Sequence, residues 1–134
     1  MIYLASPYTH KDPQVQQQRY ELAMEAVAEF LRQGEFVYSP IVHCHEMAKR
    51  HSLPTDYQFW WNYNVDFMDS AQSIYVLCID GWKESAGVRK EIEFAIADMY
   101  RLRFYSFVAG ALIELPMTET MKLMVELKGN KAGK

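Results

Sequence analysis

The chain has 134 residues, half of them hydrophobic and 23% charged, with a net charge of −3. That is ordinary globular composition, long enough for one domain to bury a core, and its acidic balance excludes an electrostatic binder of nucleic acid polymers. Two cysteines, Cys44 and Cys78, make no disulfide framework; with no membrane-length apolar run and no basic leader ahead of MIYLASPY, a cytoplasmic protein that does not enter the membrane is expected.

MIYLAS is a short apolar run stopped by Ser6-Pro7 and reads as a buried first strand. The loop PYTHKDP leads into a helix with Pro13 in its first turn. Leu22, Ala23, Ala26, Val27, Phe30 and Leu31 recur along it at helical spacing, and Gly34 ends it. FVYSP (36–40) is a second strand, closed again by Ser-Pro, and residues 41–51 form a short helix. Thr55 is the expected cap of the next helix, the aromatic-rich YQFWWNYNVDFMDS (57–70). SIYVLCI (73–79) is a continuous apolar run of the kind buried on both faces of a sheet. A helix over 86–100 and a strand at RFYSF (103–107) follow. VAGALIEL reads as strand or loop, TETMKLMVEL as a final helix and KGNKAGK (128–134) as a flexible tail. Strands alternating with helices predict an α/β fold in which a parallel sheet is covered on both faces.

Ligands of open α/β sheets sit beyond the carboxyl ends of the strands. The tips to inspect are ASPYTH, with Ala5, Ser6 and Tyr8, then SPIVHCH, then DGWKESAG. Ser85 can cap the helix that follows, and Gly87 removes a side chain from its first turn. This is either plain capping or a set of free amides for a phosphate. On that helix Val88, Ile92, Ala95 and Met99 form one apolar stripe, and Glu91 neighbours Gly87, Val88, Phe94 and Ala95. Glu93 lies a turn from Arg89 and is explained by an exposed ion pair. Glu91 has no such partner. It is either a half-dry carboxylate of the kind that gathers at active sites, or an edge residue reaching solvent.

His43 and His45 are two apart, so on a helix they point away from each other, and metal-ligand spacing is missing. His43 is expected to meet a substrate from a loop or to be an ordinary surface histidine, and no metal is expected. Phe59, Trp60, Trp61, Tyr63, Phe67 and Met68 make a helix broader in aromatics than one core stripe requires. The surplus suits a subunit interface or a wall that stacks a base.

IYLASPY, SPIVHCH and DGWKESAGVRKEIEFA, in this order over residues 1–107, resemble the nucleoside 2-deoxyribosyltransferase-like superfamily, and within it the DUF1937 branch. The resemblance implies a flavodoxin-like or Rossmann-like three-layer sandwich with a central parallel sheet of about five strands, in one domain spanning 1–127. It implies chemistry at an N-glycosidic bond without a cofactor, on a small-molecule nucleoside or nucleotide, in a homodimer or larger homo-oligomer. By position, Glu91 falls on the nucleophile, Tyr3 on the tyrosine that orients it, and Ser85 on a serine that holds a 5′-phosphate. The superfamily's second carboxylate falls on Asn64, an amide that can bind a sugar hydroxyl but cannot act as a general acid. The resemblance therefore leaves two readings: a hydrolase or deoxyribosyltransferase acting through a glycosyl-glutamate, or a nucleotide-binding module with impaired catalysis.

Overall fold

The computed structural model describes residues 1–116 together with 118, 119, 122, 125 and 126. The chain runs β1 (Ile2–Ala5), α1 (Pro13–Arg32), β2 (Val37–Tyr38), α2 (Pro40–Arg50), α3 (Tyr57–Ser70), β3 (Ser73–Leu77), α4 (Ala86–Ala97), β4 (Arg101–Val108) and β5 (Ala111–Glu114). The strands form one sheet in the order β2-β1-β3-β4-β5, which is the flavodoxin-like winding.

Strand parity builds the three layers. On one face, Tyr3, Ala5, Ile74, Val76 and Phe104 pack against Met68 of α3 and Val88, Ile92 and Ala95 of α4. On the other, Leu4, Tyr75, Leu77 and Tyr105 pack against Ala26 and Phe30 of α1. β3 is buried along its whole length, as its unbroken apolar run requires. α2 packs against α1. Winding from β1 runs one way to β2, and from β3 the other way to β4, so the chain leaves a crevice beyond the carboxyl ends of β1 and β3.

The helix starts follow from local chemistry. Asp12 and Ser39 cap α1 and α2, with Pro13 and Pro40 in the first turns, where a missing N–H costs nothing. The cap of α3 is Asp56, whose carboxylate accepts from the Phe59 N–H at 3.2 Å, and not Thr55, whose carbonyl instead accepts from the Thr9 hydroxyl. α4 stops at Ala97, so Met99 leaves the apolar stripe; its φ is +59° and it is 91% exposed.

The sheet has the five strands expected and is mostly parallel. β1 to β4 are parallel, but β5 pairs antiparallel with β4. Ala109 and Gly110, both at positive φ, turn VAGALIEL into a two-residue hairpin. A parallel partner would need a crossover of roughly a dozen residues or more. In the stretch expected as a last helix, Thr118, Glu119, Lys122, Val125 and Glu126 are helical. The remainder of that helix and the 128–134 tail lie outside the described residues. Among the described residues no helix is long and apolar enough to cross a membrane.

Candidate active site

The crevice holds a cavity of about 400 Å³, within the range of small-molecule sites. Four segments wall it: the loop after β1 (Ser6, Tyr8, Thr9), α2 (Ile41, Cys44, His45, Ala48), the start of α3 (Asp56, Tyr57, Trp60, Asn64) and the start of α4 (Ser85, Ala86, Gly87, Glu91). Among the described residues its lining contains no lysine or arginine, and no group of three metal-binding side chains is found in the structure.

Glu91 is 6% exposed. Val88, Ile92 and Ala95 turn α4 toward the sheet, and the same phase carries Glu91 into the cavity wall. There the Tyr3 hydroxyl, rising from β1, donates to Glu91 Oε2. Burial pushes the Glu91 carboxyl up to about 8, and the bond from Tyr3 holds it partly down. Tyr3 is itself fully buried, and desolvation, then the neighbouring carboxylate charge, drives its phenol well above the usual value. Glu93 is more enclosed than expected, and no Arg89–Glu93 ion pair closes among the described residues.

Ser85 caps α4 and also faces the cavity. Its Oγ accepts from the Val88 N–H at 3.2 Å as the cap of α4, and the residue lines the cavity with Ala86 and Gly87. Gly87 serves packing as well as access. A Cβ there would stand 3.2 Å from Cβ of Tyr57, so its absence lets α3 and α4 approach closely. Asn64 faces the same cavity, and its carbonyl Oδ1 is buried without a hydrogen-bond partner. Ser6 Oγ, in the loop after β1 that lines the same cavity, is orphaned in the same way. Two polar atoms left unpaired beside a buried carboxylate are groups that a bound ligand would satisfy. Asp66 and Asp69, near Asn64 in sequence, are exposed and do not line the cavity.

His43 and Ala5 depart from expectation. α2 is the helix expected over 41–51, and it begins at Pro40, so His43 sits on the helix and not in a loop; it points out, exposed, beside the rings of Tyr38 and Tyr63. Two positions further round the helix, His45 points in and lines the cavity, hydrogen-bonded to Tyr8. Ala5 is fully buried beneath the site and belongs to the core. Tyr3 likewise stays behind Glu91 and reaches the cavity only through it. His45, Asp56 and Trp60 therefore join the site. The signal for His45 lay in the spacing of Ile41, Cys44, His45 and Ala48, which is the buried stripe of α2.

Residues 1–107 match the family model described as a domain of unknown function (DUF1937), and the chain belongs to that family. No curated protein matches it.

Proposed function

We propose that the protein breaks the N-glycosidic bond of a nucleoside or nucleotide by double displacement, as a hydrolase or a deoxyribosyltransferase, with Glu91 as the nucleophile. One observation carries this reading: a carboxylate buried in a cavity wall, bonded by the Tyr3 hydroxyl and facing open space. Ionised Glu91 attacks the anomeric carbon and the base departs; an incoming base or water then takes the sugar from the glutamyl ester. Tyr3 fixes the attacking carboxylate. Asn64 Oδ1 accepts from a sugar hydroxyl, and Ser6 Oγ is placed for another. Trp60 and Tyr57 offer aromatic surface to a base. A 5′-phosphate, where the substrate has one, meets the first amides of α4 beside Ser85. The two cysteines carry free thiols, in keeping with a cytoplasmic setting.

Incubation with a panel of nucleosides and their 5′-monophosphates, with and without free base, is expected to release or exchange base. A 2-fluoro-2-deoxy sugar analogue is expected to leave a covalent adduct on the peptide containing Glu91, read by mass spectrometry. Absence of both product and adduct across the panel overturns the reading.

Asn64 favours a second reading, a nucleotide-binding module that has lost turnover. Under it, wild-type protein binds a nucleotide without cleaving it, and Asn64→Asp raises base release from nothing.

A further inference from the structure

A nucleobase is a poor leaving group until it is protonated, and the proposed reaction lacks an obvious acid. Asn64 cannot donate a proton of useful acidity. His43, Asp66 and Asp69 lie outside the cavity. Tyr3 is occupied with Glu91. Asp56 and Glu84 line the cavity but are exposed at its rim, and the Asp56 carboxylate caps α3.

One built cluster remains. The Tyr8 hydroxyl lies 2.7 Å from Nδ1 of His45, and Nε2 of the same ring lies 3.0 Å from Oε1 of Gln17. Because Gln17 Oε1 can only accept, Nε2 carries a hydrogen; Nδ1 then accepts from the Tyr8 hydroxyl in the neutral ring and donates to it in the imidazolium. The imidazole is 6% exposed, stacked on Tyr20 at 4.1 Å and met edge-on by Tyr8. Loop, α2 and α1 each supply one member, and the two that exchange the proton, Tyr8 and His45, line the cavity that holds Glu91. A third group fixing the tautomer of a histidine that faces a hydroxyl is the arrangement of proton-transfer sites.

Resting on the glycosidic reading, we propose that Tyr8 and His45 form a proton relay that serves first the departing base and then the incoming acceptor. In the first displacement Glu91 forms its bond to the anomeric carbon as the carbon–nitrogen bond breaks, and that electron pair stays on the base. The base takes the Tyr8 hydroxyl proton, and Tyr8 regains one from Nδ1 of the imidazolium. In the second, the acceptor's oxygen or nitrogen attacks the anomeric carbon and the ester pair returns to Glu91. The acceptor's proton passes to Tyr8, and the Tyr8 proton passes to Nδ1, restoring the imidazolium. Gln17 Oε1 accepts from Nε2–H in both charge states, so the ring changes charge without changing that partner. Burial disfavours the imidazolium, and Lys49 adds to that, while Glu46 of α2 and Glu21 of α1 favour it.

The test compares wild type, Tyr8→Phe and His45→Gln on two substrates with the same sugar. One is an ordinary nucleoside. The other carries 4-nitrophenolate or a 7-methylpurine, which depart without a proton. The relay predicts that Tyr8→Phe loses on the order of 10²–10⁴-fold in kcat/KM on the nucleoside and stays within a few-fold of wild type in kcat/KM on the activated substrate, a ratio that reports the first displacement alone and also certifies that the variant is folded. His45→Gln follows the same pattern. Parallel loss on both substrates, or no loss on either, overturns the relay while leaving Glu91 its role. A wild type inert on both, and unchanged by Glu91→Gln, overturns the glycosidic reading and the relay with it.

Discussion

Two clefts open at the carboxyl edge of the sheet, one toward α3 and α4 and one toward α1, and they treat their polar groups in opposite ways. In the first, Asn64 Oδ1 and Ser6 Oγ are buried without partners, and Glu91 is held against the preference of a carboxylate for water. In the second, lined by His10, Arg19, Asp80 and Gly81 among others, the charge is spent on the fold. The Arg19 guanidinium donates to the carbonyls of Thr9 at 3.0 Å and of Tyr8 and Asp80 at 3.4 Å, tying the loop after β1 to the loop after β3. One cleft stores unmet polar demand at a cost to stability; the other uses a cation to hold the walls of the first in place.

Glu91→Gln breaks this contrast most severely. Turnover should fall on the order of 10³-fold or more, because the amide is no nucleophile. Stability should move the other way. The folded carboxyl titrates near 8 against an ordinary value of 4.5, so above pH 4.5 the unfolded chain ionises and the folded one resists. The penalty grows until pH passes about 8 and is constant beyond. At about 1.4 kcal/mol for each pH unit between the two values, its ceiling is several kcal/mol. Melting curves of wild type and Glu91→Gln should coincide near pH 4 and separate, with the variant higher, toward pH 8. A variant less stable at pH 8 would show that the ionised carboxylate stabilises the fold.

Tyr3→Phe comes next. Its hydroxyl lowers the Glu91 value, so on a substrate whose leaving group needs no proton its loss should move the alkaline rise of the rate profile to higher pH and reduce kcat by roughly 10–100-fold at neutral pH. An unmoved profile would mean that the Tyr3 bond has no bearing on the reactive form of Glu91.

In the other cleft, Arg19→Met should cost about 1–3 kcal/mol by freeing three carbonyls from a charged donor, read as a fall in Tm. Turnover should suffer far less than in Glu91→Gln. If activity collapses while Tm holds, Arg19 belongs to the chemistry and the contrast between the clefts is wrong.

Much of this was legible in residue spacing, and the failures share a cause. The phase of α4 set Glu91 apart from Glu93 before any fold was known, because a 3.6-residue period is local. His45 is equally legible on the stripe of Ile41, Cys44 and Ala48 within the helix expected over 41–51, yet placing His43 on a loop at the strand tip sets that phase aside. Thr55 and Asp56 are both good caps, and only the position of the first helical turn chooses between them. The pairing of Tyr3 with Glu91 spans 88 positions and has no local signature; resemblance, not spacing, pointed to it. VAGALIEL stays open between strand and loop because Ala109-Gly110 is a weaker hairpin signal than Asn-Gly.

Gly87 gives the smallest expected effect and the sharpest separation of two roles. Its φ is not in the left-handed region, so alanine fits the helix and gains up to about 1 kcal/mol in propensity. Against this, the new Cβ meets Cβ of Tyr57 at 3.2 Å, and α3 must yield by a few tenths of an ångström. The two terms are of similar size, so the Tm of Gly87→Ala should stay close to wild type. The substrate should feel the change more, since Tyr57 and the first amides of α4 line the same wall. If Gly87 acts by letting the helices approach, the shifted Tyr57 raises KM for nucleosides and their 5′-monophosphates alike. If it acts by leaving amides open to a phosphate, KM rises for the monophosphates alone, and α4 takes an anion that its neighbour Ser85, already spent on the Val88 amide, holds only through its remaining hydroxyl proton.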